Sequence, residues 1–395
     1  MTSKKRLLIL NGSHSDIPLI NAAKKLGYYV ITTGNLPNLI GHAYADEYHS
    51  CDFSDVKAVL KLAEKLKIDG VVSCTNDFGL IAASYVGEKL GLPGHDTYEN
   101  SLTLHHKNRF KKVAQANEIP VARTQFFNSK HDALEWFEPG LLPLIVKPVD
   151  LTGGKGVSKA ESHEDYVKAV HIAFDQSRVG HIVVEEFIVG TQHSFSTFIV
   201  DHKVVFSFSD NEFSYLNPFL VSTSSSPALF IDEVRDQLIA SIEKMAELLH
   251  LRDGLFHLQY ILDAQHKLYI IEPTRRCSGD LYPYPVNYAL KIDWPHWIVK
   301  AESGIDCKDF PRTQQQGFCG RHCIMSPRNG IMKNVIVDPS LKENIYDELL
   351  WWKPGDVVDN YLVQKMGIYC LRYDSMEEMI SKTNNITNLV RVELQ

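Results

Sequence analysis

Short apolar runs alternate with amphipathic stretches along the first hundred residues. The runs "RLLILN", "YYVITTG" and "GVVSCT" have the length and composition of β-strands, and "IPLINAAKKLG" and "VKAVLKLAEKLK" lie between them. The second of these intervening stretches has apolar residues three to four positions apart, as on one face of a helix. This β-α-β-α-β order predicts a Rossmann-like parallel sheet over residues 1–100, which ends near "LGLPGHDTYEN", where Gly and Pro interrupt the pattern.

A second pattern begins after residue 100. A helix is predicted from about Ser101 to Asn117, with Lys107 at the start of an amphipathic stretch within it. The strand-like "IPVARTQFF", a Gly-rich loop, a helix over 163–174 and the strand-like "HIVVEEFI" follow in that order. These elements predict a small α+β lobe over residues 122–189.

The pattern from residue 190 onward is typical of antiparallel hairpins. "SFSTFIV" and "KVVFSFSD" are joined by a tight Asp-His connection, and "FHLQYILDAQHKLYIIEP" has its predicted turn at 263–266. Between the two hairpins lie a Ser-rich stretch over 222–226, interpreted as a mobile loop or a linker, and an amphipathic helix over about 232–250.

The chain is therefore predicted to be multidomain, with α/β and α+β parts. An amino-terminal α/β domain covers residues 1–100, a two-lobed region covers 101–310, and a small β-rich domain with "CGRHCIMS", "NVIVD" and "KMGIYCLRYDS" covers 311–395.

Composition and charge narrow the function classes. The 395 residues are 44% hydrophobic, with a formal charge of −7 and a sequence pI near 6.2, so a broadly basic nucleic-acid surface is not expected. No apolar run approaches the roughly 20 residues that span a bilayer. Seven cysteines without a CxxC pair are typical of reduced thiols, and a cytoplasmic protein without a membrane partner is predicted.

The most informative loop is "IVKPVDLTGGKGVS", residues 145–158. Glycines at 153, 154 and 156 permit backbone conformations in which main-chain N–H groups converge on an anion, and Lys147 adds a positive charge beside them. The loop matches neither the P-loop nor the dinucleotide fingerprint. The loop has two possible interpretations, a phosphate-binding loop and a hairpin turn with a solvent-facing Lys155.

A second candidate site comes from "FHLQYIL" and "LYIIEPTRRCSGD". A hairpin that turns near residues 264 and 265 places Gln259 and Glu272 on neighbouring strands. One oxygen from each, together with phosphate oxygens, is a common way to hold Mg²⁺. Arg276 would then neutralise charge on a transferred phosphoryl group. The alternative is a surface ion pair between Glu272 and an arginine, which contributes little to stability.

The chain resembles the ATP-grasp superfamily over nearly its whole length. The resemblance rests on an ordered set of residues and motifs: Lys107, Lys147, "TGGKGV", "VVEEF", Gln259 and "IIEPTRR". Within it, "EPTRRCSGDLY" and the terminal "WWKPGDVV…KMGIYCLRYDSMEE" look most like carboxylate-amine ligases that include L-amino-acid ligases. Gln259 is similar to a glutamine that serves as metal ligand in carbamoyl-phosphate synthases.

The resemblance implies an ATP-dependent ligase with ATP and one or two Mg²⁺ ions as cofactors. Its substrates would be a small-molecule carboxylate and an amine, and a homodimer is the general default for its assembly. The implied ATP-binding residues are Lys107, Lys147, Thr152, Gly153, Gly154, Lys155, Gly156, Val157, Glu185, Glu186, Phe187 and Ile188. The resemblance further assigns Arg276 to phosphoryl transfer and Gln259 and Glu272 to Mg²⁺.

Two positions depart from the family pattern. Thr274 stands where a metal-binding Asn is common, so a second Mg²⁺ site is expected to be weaker or differently built. In "GTQHS" the usual acid after the hinge glycine is missing, and either Gln192 or His193 would meet the ribose.

Further side chains are candidates for the substrate pocket. Asp77 and Asn76 end a predicted parallel strand, where α/β sheets bind ligands, and His14 has the equivalent position after the first strand. A cap or turn role is the alternative for each. Asp280, Tyr282 and Arg321 complete the set, with Arg321 able to pair with a substrate carboxylate.

Three functional hypotheses remain. The first is ligation through an acyl phosphate, which needs positioning and charge neutralisation rather than a nucleophilic side chain. The second is phosphorylation of bicarbonate, as in carbamoyl-phosphate synthases or carboxylases. The third is an ATP-binding protein without turnover, suggested by Thr274 and the missing acid.

Overall fold

A parallel sheet forms the amino-terminal part of the chain, as predicted. In the computed structural model, which describes residues 4–395, this sheet has the order β3-β2-β1-β4. Its elements are β1 (Arg6–Ile9), α1 (Ile17–Lys25), β2 (Tyr29–Gly34), β3 (Glu47–Ser50), α2 (Val56–Leu66), β4 (Gly70–Val72) and α3 (Asp77–Leu90). The sequence pattern did not reveal β3, because "EYHS" is short and polar. Asn76 caps α3 by accepting the Phe78 N–H at 3.0 Å.

The prediction of one helix over 101–117 is wrong in number, since the structure has two helices in this region. These are α4 (Tyr98–His105) and α5 (Lys107–Ala116), separated by His106 in an extended conformation. The break frees the N–H of Lys107 to donate to the Val149 carbonyl at 3.0 Å. Lys107 is thereby held at the first position of α5, beside the Gly-rich loop.

A small antiparallel sheet follows, with the order β5-β8-β6-β7. Its elements are β5 (Thr124–Phe127), α6 (Lys130–Glu135), β6 (Leu144–Pro148), β7 (Ser158–Ala160), α7 (His163–Gln176) and β8 (Ile182–Glu186). The Gly-rich segment connects β6 to β7, so it is a hairpin loop at the edge of this sheet.

The next segment contains both predicted hairpins, but the loop or linker predicted over 222–226 is wrong. It contains β9 (Gly190–Val200), β10 (Lys203–Phe213), β11 (Thr223–Ser226), α8 (Ile231–Leu248), β12 (Gly254–Asp263), β13 (Leu268–Thr274), α9 (Pro283–Leu290), α10 (Trp294–Glu302) and β14 (Phe318–Ile324). The Ser-rich stretch predicted to be a mobile loop or linker is the fully buried strand β11, paired with β10 and β14. Its hydroxyls find partners in the interior, as where Ser226 donates to the Ser209 carbonyl at 2.6 Å.

The carboxy-terminal segment is rich in strands, as predicted. It comprises β15 (Gly330–Val337), α11 (Pro339–Lys342), β16 (Ile345–Leu350), β17 (Val357–Val358), β18 (Gly367–Tyr373), α12 (Met376–Asn384), α13 (Ile386–Leu389) and β19 (Val390–Leu394). A three-stranded sheet has the order β17-β15-β19, while β14, β18 and β16 continue a central sheet of order β13-β12-β9-β10-β11-β14-β18-β16. The predicted domain boundary at 311 stays a prediction, and the central sheet extends across it.

Apolar side chains form several clusters, one of which spans two sheets. One cluster joins one face of the parallel sheet to α9, α10 and strands β9 and β10 of the central sheet, and another packs α8 against β9, β12 and β13. This packing leaves a cleft between the small sheet and the central sheet. Within residues 4–395, no helix has the length and apolar character needed to cross a membrane.

Candidate active site

Two adjoining cavities occupy the cleft. The first cavity, of about 240 Å³, lies between the small sheet and β12–β13, and the second cavity, of about 220 Å³, extends from it toward the amino- and carboxy-terminal parts. The residues that line both cavities are Lys107, Thr152, Gly153, Gly154, Gln192, Phe219, Gln259 and Glu272. The two cavities therefore adjoin along this shared wall.

Three buried charges form the inner wall of the first cavity. Glu185 at the end of β8 lies 2.9 Å from Lys147 Nζ and 3.6 Å from Lys111 Nζ, and Lys111 also donates to the Ile270 carbonyl at 3.1 Å. Burial by itself raises the pKa of Glu185, but the two lysines outweigh it and lower this pKa to about 2. Burial lowers the pKa of Lys111 to about 8, against the opposing effect of Glu185. Two lysines against one carboxylate leave a positive wall that fits phosphate.

We expect Glu185→Gln to destabilise the protein by about 3–5 kcal/mol, because two buried lysines lose their counter-charge. The effect should depend on pH. The folded-state pKa of Glu185, about 2, lies below its ordinary value of 4.5, so its contribution is fully present above about pH 4.5 and is lost as the pH falls toward 2. Melting temperatures of wild type and variant should therefore converge on acidification.

The matched control is Glu164→Gln on α7, where the carboxylate is exposed and bonded only to Lys168. This variant should follow the wild-type melting curve at every pH. A constant difference between wild type and Glu185→Gln from pH 7 to pH 3 would contradict the buried ion-pair assignment.

Gln259 and Glu272 are on neighbouring strands, β12 and β13, as predicted, and a register shift between Gln259 and Tyr260 places them directly opposite each other. Lys107 Nζ lies 3.3 Å from Glu272 Oε2 and donates to the Leu151 carbonyl at 2.7 Å. The amide nitrogen of Gln259 donates to Glu212 Oε2 at 2.7 Å, which leaves the amide oxygen of Gln259 available as a ligand. Gln259 and Glu272 therefore present oxygens from adjacent strands to both cavities.

Glu212 on β10 was not identified from the sequence. It accepts one hydrogen bond from Gln259 and one from Gln192, each of 2.7 Å. Burial and the nearby Asp210 carboxylate raise the pKa of Glu212 to about 7. The side chain holds two amides in fixed orientations across three neighbouring strands.

The Gly-rich loop covers the shared wall. Gly153, Gly154 and Gly156 all have positive φ, which glycine adopts without strain. A Cβ on Gly154 would lie 2.5 Å from the Phe219 carbonyl oxygen, so the loop touches the β10–β11 connection closely. The first cavity is lined by Thr152, Gly153, Gly154 and Val157, whereas Lys155 and Gly156 do not reach it.

The two adjacent arginines have different environments. Arg276 makes a bidentate pair with Asp77, with Nε 3.1 Å from Oδ1 and Nη2 2.8 Å from Oδ2. Burial favours a neutral Asp77, but Arg276 outweighs it and holds the pKa of Asp77 well below its usual range. Thr274 donates its hydroxyl to the same Asp77 at 3.0 Å. Asp77 therefore orients both Thr274 and Arg276 at the wall of the second cavity.

Arg275 points to the opposite side of the strand. It lies 2.9 Å from Asp96 Oδ2 and donates to the carbonyls of Leu255, at 2.7 Å, and of Arg252. None of these partners lines either cavity, so Arg275 joins the end of β13 to the loop before α4. Its role is structural.

The hinge after β8 lines the first cavity from residues 185 to 188. Glu186 is fixed by Arg123 at 3.0 Å, and Phe187 and Ile188 supply apolar surface. Of the two residues considered for the ribose, Gln192 lies on the cavity wall, whereas His193 is buried against Tyr260 with ring centroids 5.2 Å apart. The structure therefore does not bring His193 to the cavity.

The second cavity brings together the remaining substrate candidates. Asp280, Tyr282 and Arg321 all line it, and Lys365, which the sequence did not indicate, lies beside them. His14 stands behind this wall, stacked on Trp351 at a centroid distance of 4.1 Å. The cysteines at 319 and 323 are free thiols, and the described part of the chain contains no cluster of three or more His, Cys, Asp or Glu side chains arranged for a metal.

Comparison with known proteins gives a family match in the middle of the chain. Residues 105–214 match the model of the phosphoribosylglycinamide synthetase ATP-grasp (A) domain. The carbamoyl phosphate synthase large chain of Thermoanaerobacter sp. (strain X514) is 26% identical over 230 residues, which are 55% of this chain and 20% of that protein. The chain thus spans about a fifth of the length of the carbamoyl phosphate synthases that it matches.

Two solved structures are similar over their full lengths. L-amino acid ligase from Bacillus licheniformis has a TM-score of 0.83 at 19% identity, with 100% of both chains covered. Phosphoribosylglycinamide synthetase from Anaerococcus prevotii has a TM-score of 0.77 at 21% identity, again with 100% of both chains covered. At these identities the likeness establishes a shared fold.

Proposed function

Since the chain contains an ATP-grasp domain and shares its whole fold with ATP-grasp ligases, we propose that it is an ATP-dependent carboxylate-amine ligase. ATP phosphorylates a substrate carboxylate to an acyl phosphate, and an amine then attacks the acyl carbon. ADP, phosphate and an amide or peptide bond are the products.

The observation that carries the proposal is the wall shared by the two cavities. It combines the Gly-rich loop, Lys107, and the oxygen ligands Gln259 and Glu272 between a pocket with an apolar hinge and a pocket lined by polar side chains. A nucleotide in the first cavity and an acid in the second would meet at these groups. That arrangement is what direct phosphoryl transfer from ATP to a carboxylate requires.

The nucleotide would lie along the first cavity. The backbone of residues 186–188 would hold the adenine, and Gln192 is the candidate for the ribose. Lys107, Lys147 and Lys111 would neutralise the phosphates, while Thr152, Gly153, Gly154 and Val157 would cover them and exclude water. The domain boundaries at 100 and 310 are part of this proposal.

The residues at the shared wall fit Mg²⁺. Glu272 and Gln259 offer two protein oxygens, and phosphate oxygens and water would complete six-fold coordination. Thr274 already donates to Asp77, so it is the weakest of the proposed ligands. When bound, Mg²⁺ would neutralise charge on the phosphates and orient them.

Residues of the chain itself would stabilise the transferred phosphoryl group and protect the intermediate. Arg276, held by Asp77, would neutralise the charge that spreads over the phosphoryl oxygens as the carboxylate attacks the γ-phosphorus. In the second step the amine adds to the acyl carbon, loses its proton and expels inorganic phosphate. The Gly-rich loop would protect the acyl phosphate from water through both steps.

The test is an ADP-release screen with Mg-ATP, pooled carboxylic acids and pooled amines including the amino acids. The expected result is ADP formation that requires both an acid and an amine, with an amide product of matching mass by mass spectrometry. ATP binding by calorimetry without turnover across the panel would contradict the ligase and favour a binding protein.

Bicarbonate phosphorylation is the second candidate. Two observations favour it, the glutamine at position 259 and the match to carbamoyl phosphate synthase large chains. ADP release stimulated by bicarbonate without any organic acid would support it. Complete indifference of ADP release to bicarbonate would exclude it.

A further inference from the structure

Two cations at the wall of the second cavity share a single carboxylate oxygen. Lys365 Nζ lies 2.5 Å, and Arg321 Nη1 lies 3.2 Å, from the same Oδ2 of Asp280. All three side chains are largely buried and all three line the cavity. We call this group the distal cluster.

The distal cluster has a net positive charge. Burial opposes the charged form of each group, but their mutual attraction outweighs it, so the pKa of Asp280 is held well below its usual range and those of Arg321 and Lys365 are raised. Two full positive charges therefore face one negative charge. A buried excess charge is costly unless a further partner compensates it.

The neighbouring acids Asp210 and Glu212 also attract Arg321, but burial raises the pKa of both carboxyls, so they compensate its charge only in part near pH 7. Glu212 is bonded to Gln192 and Gln259, and Asp210 accepts a hydrogen bond from Ser194. The ion pairs of Arg321 and Lys365 within residues 4–395 involve only Asp280. Three further titratable neighbours, His14, Cys323 and Tyr282, are neutral near pH 7, because burial lowers the pKa of His14 and raises the pKa of Cys323 and Tyr282.

Unused hydrogen-bond donors accompany the excess charge. Arg321 Nε is buried and has no hydrogen-bond partner, and Lys365 uses one of its three N–H groups on Asp280. A buried donor without a partner is costly, and it is typical of a site completed by a ligand.

The position of Lys365 is fixed by two parts of the chain. The indole N–H of Trp351 donates to the Lys365 carbonyl at 2.9 Å, and the Trp351 ring stacks on His14 of the amino-terminal domain. Lys365 is thereby held at the wall of the second cavity, which Arg276 and Glu272 also line.

We propose that Lys365 and Arg321 bind a second carboxylate of the acid substrate, so that the ligase activates a dicarboxylic acid. The inference rests on the proposed function. One carboxylate of the acid would be phosphorylated between Glu272 and Arg276, and the other would accept hydrogen bonds from the distal cluster. The apolar end of a monocarboxylic acid would leave both the excess charge and the unused donors uncompensated.

The first test compares acids of equal chain length in ADP release with Mg-ATP and pooled amines. Glutarate is paired with valerate, and succinate with butyrate. The dicarboxylates should have a kcat/KM at least about 10²-fold higher, because a site with unpaired polar groups rejects the analogue that cannot satisfy them. Equal turnover of the monocarboxylates would overturn the proposal, as would faster turnover of 3-phosphonopropionate than of succinate.

The second test uses Lys365→Met with Lys353→Met, an exposed lysine of the same segment, as its control. Lys365→Met should raise the KM for the dicarboxylate at least about 10-fold and leave the KM for ATP unchanged, while Lys365→Arg restores most of the affinity. Lys353→Met should match wild type in both constants.

A double variant separates binding from a purely structural role. In Lys365→Met/Asp280→Asn both partners of the ion pair are neutral, and the KM for the dicarboxylate should remain raised. Return of this KM to the wild-type value would mean that Lys365 serves only Asp280. ATP binding with no ADP release from any acid would instead contradict the proposed ligase function.

Discussion

Replacing Arg276 with lysine is expected to lower the rate of ADP release at least about 10²-fold, because an ammonium cannot reproduce the bidentate, planar geometry of the guanidinium. Lysine keeps a positive charge beside Asp77, so the buried carboxylate is not left unpaired. Turnover in the presence of substrates and the ligand-free melting temperature should both be measured. Turnover should fall while the melting temperature changes little.

Arg275→Lys is the matched control on the neighbouring residue. Arg275 bonds Asp96 and backbone carbonyls away from both cavities, so its replacement should cost stability, by about 1–3 kcal/mol, and leave turnover of the folded protein near wild type. Arg276→Lys should thus lose turnover and keep its melting temperature, whereas Arg275→Lys should lose stability and keep its turnover. Full turnover in Arg276→Lys, or its loss in Arg275→Lys at temperatures where the protein is folded, would contradict the assigned roles.

The elements that could be predicted from the sequence are those set by local patterns. The hairpin from β12 to β13 turns after Asp263, as predicted, which puts Gln259 and Glu272 on neighbouring strands; the register shift that sets them directly opposite each other was not predicted. The glycines of the 152–157 loop likewise require positive φ, which identifies a turn before any fold is known. Turn residues and strand alternation are patterns of a few neighbouring residues, so they can be recognised in a single sequence.

Pairs distant in sequence could not be predicted in the same way. Arg276 was expected to face a phosphoryl group, and Asp77 was expected near a substrate, but their direct pairing depends on how β13 packs against the start of α3. Nothing in the local sequence of either residue specifies the other. The same holds for Lys365 and Asp280, which come from separate parts of the chain.

Some buried charged residues were not predicted from the sequence, because charged side chains are usually expected at the protein surface. Lys111 stands four residues after Lys107 on α5, a spacing that places both on one helix face, and this signal could have identified it. The Ser-rich strand β11 was missed for the related reason that serine is common in linkers. Its hydroxyls are instead hydrogen-bonded inside the central sheet.

Replacing Glu272 with glutamine is expected to lower ADP release about 10²–10³-fold and to raise the Mg²⁺ concentration at half-maximal rate, because the anionic protein ligand of the proposed ion becomes neutral. Mg²⁺ titrations of turnover at saturating ATP measure both effects. The exposed Glu164→Gln should leave the titration unchanged, which controls for the loss of one negative charge. An unaltered Mg²⁺ requirement in Glu272→Gln would contradict a metal role for this residue.

The same titration addresses the number of ions. Thr274 uses its hydroxyl on Asp77, so one strong Mg²⁺ site, formed by Glu272 and Gln259 with phosphate oxygens, is expected in wild type. Thr274→Asn would add an amide oxygen beside Glu272 and should lower the Mg²⁺ concentration at half-maximal rate, since a second ion would then gain a protein ligand. A titration identical to wild type would mean that residue 274 does not reach the metal, and that Asp77 alone determines its orientation.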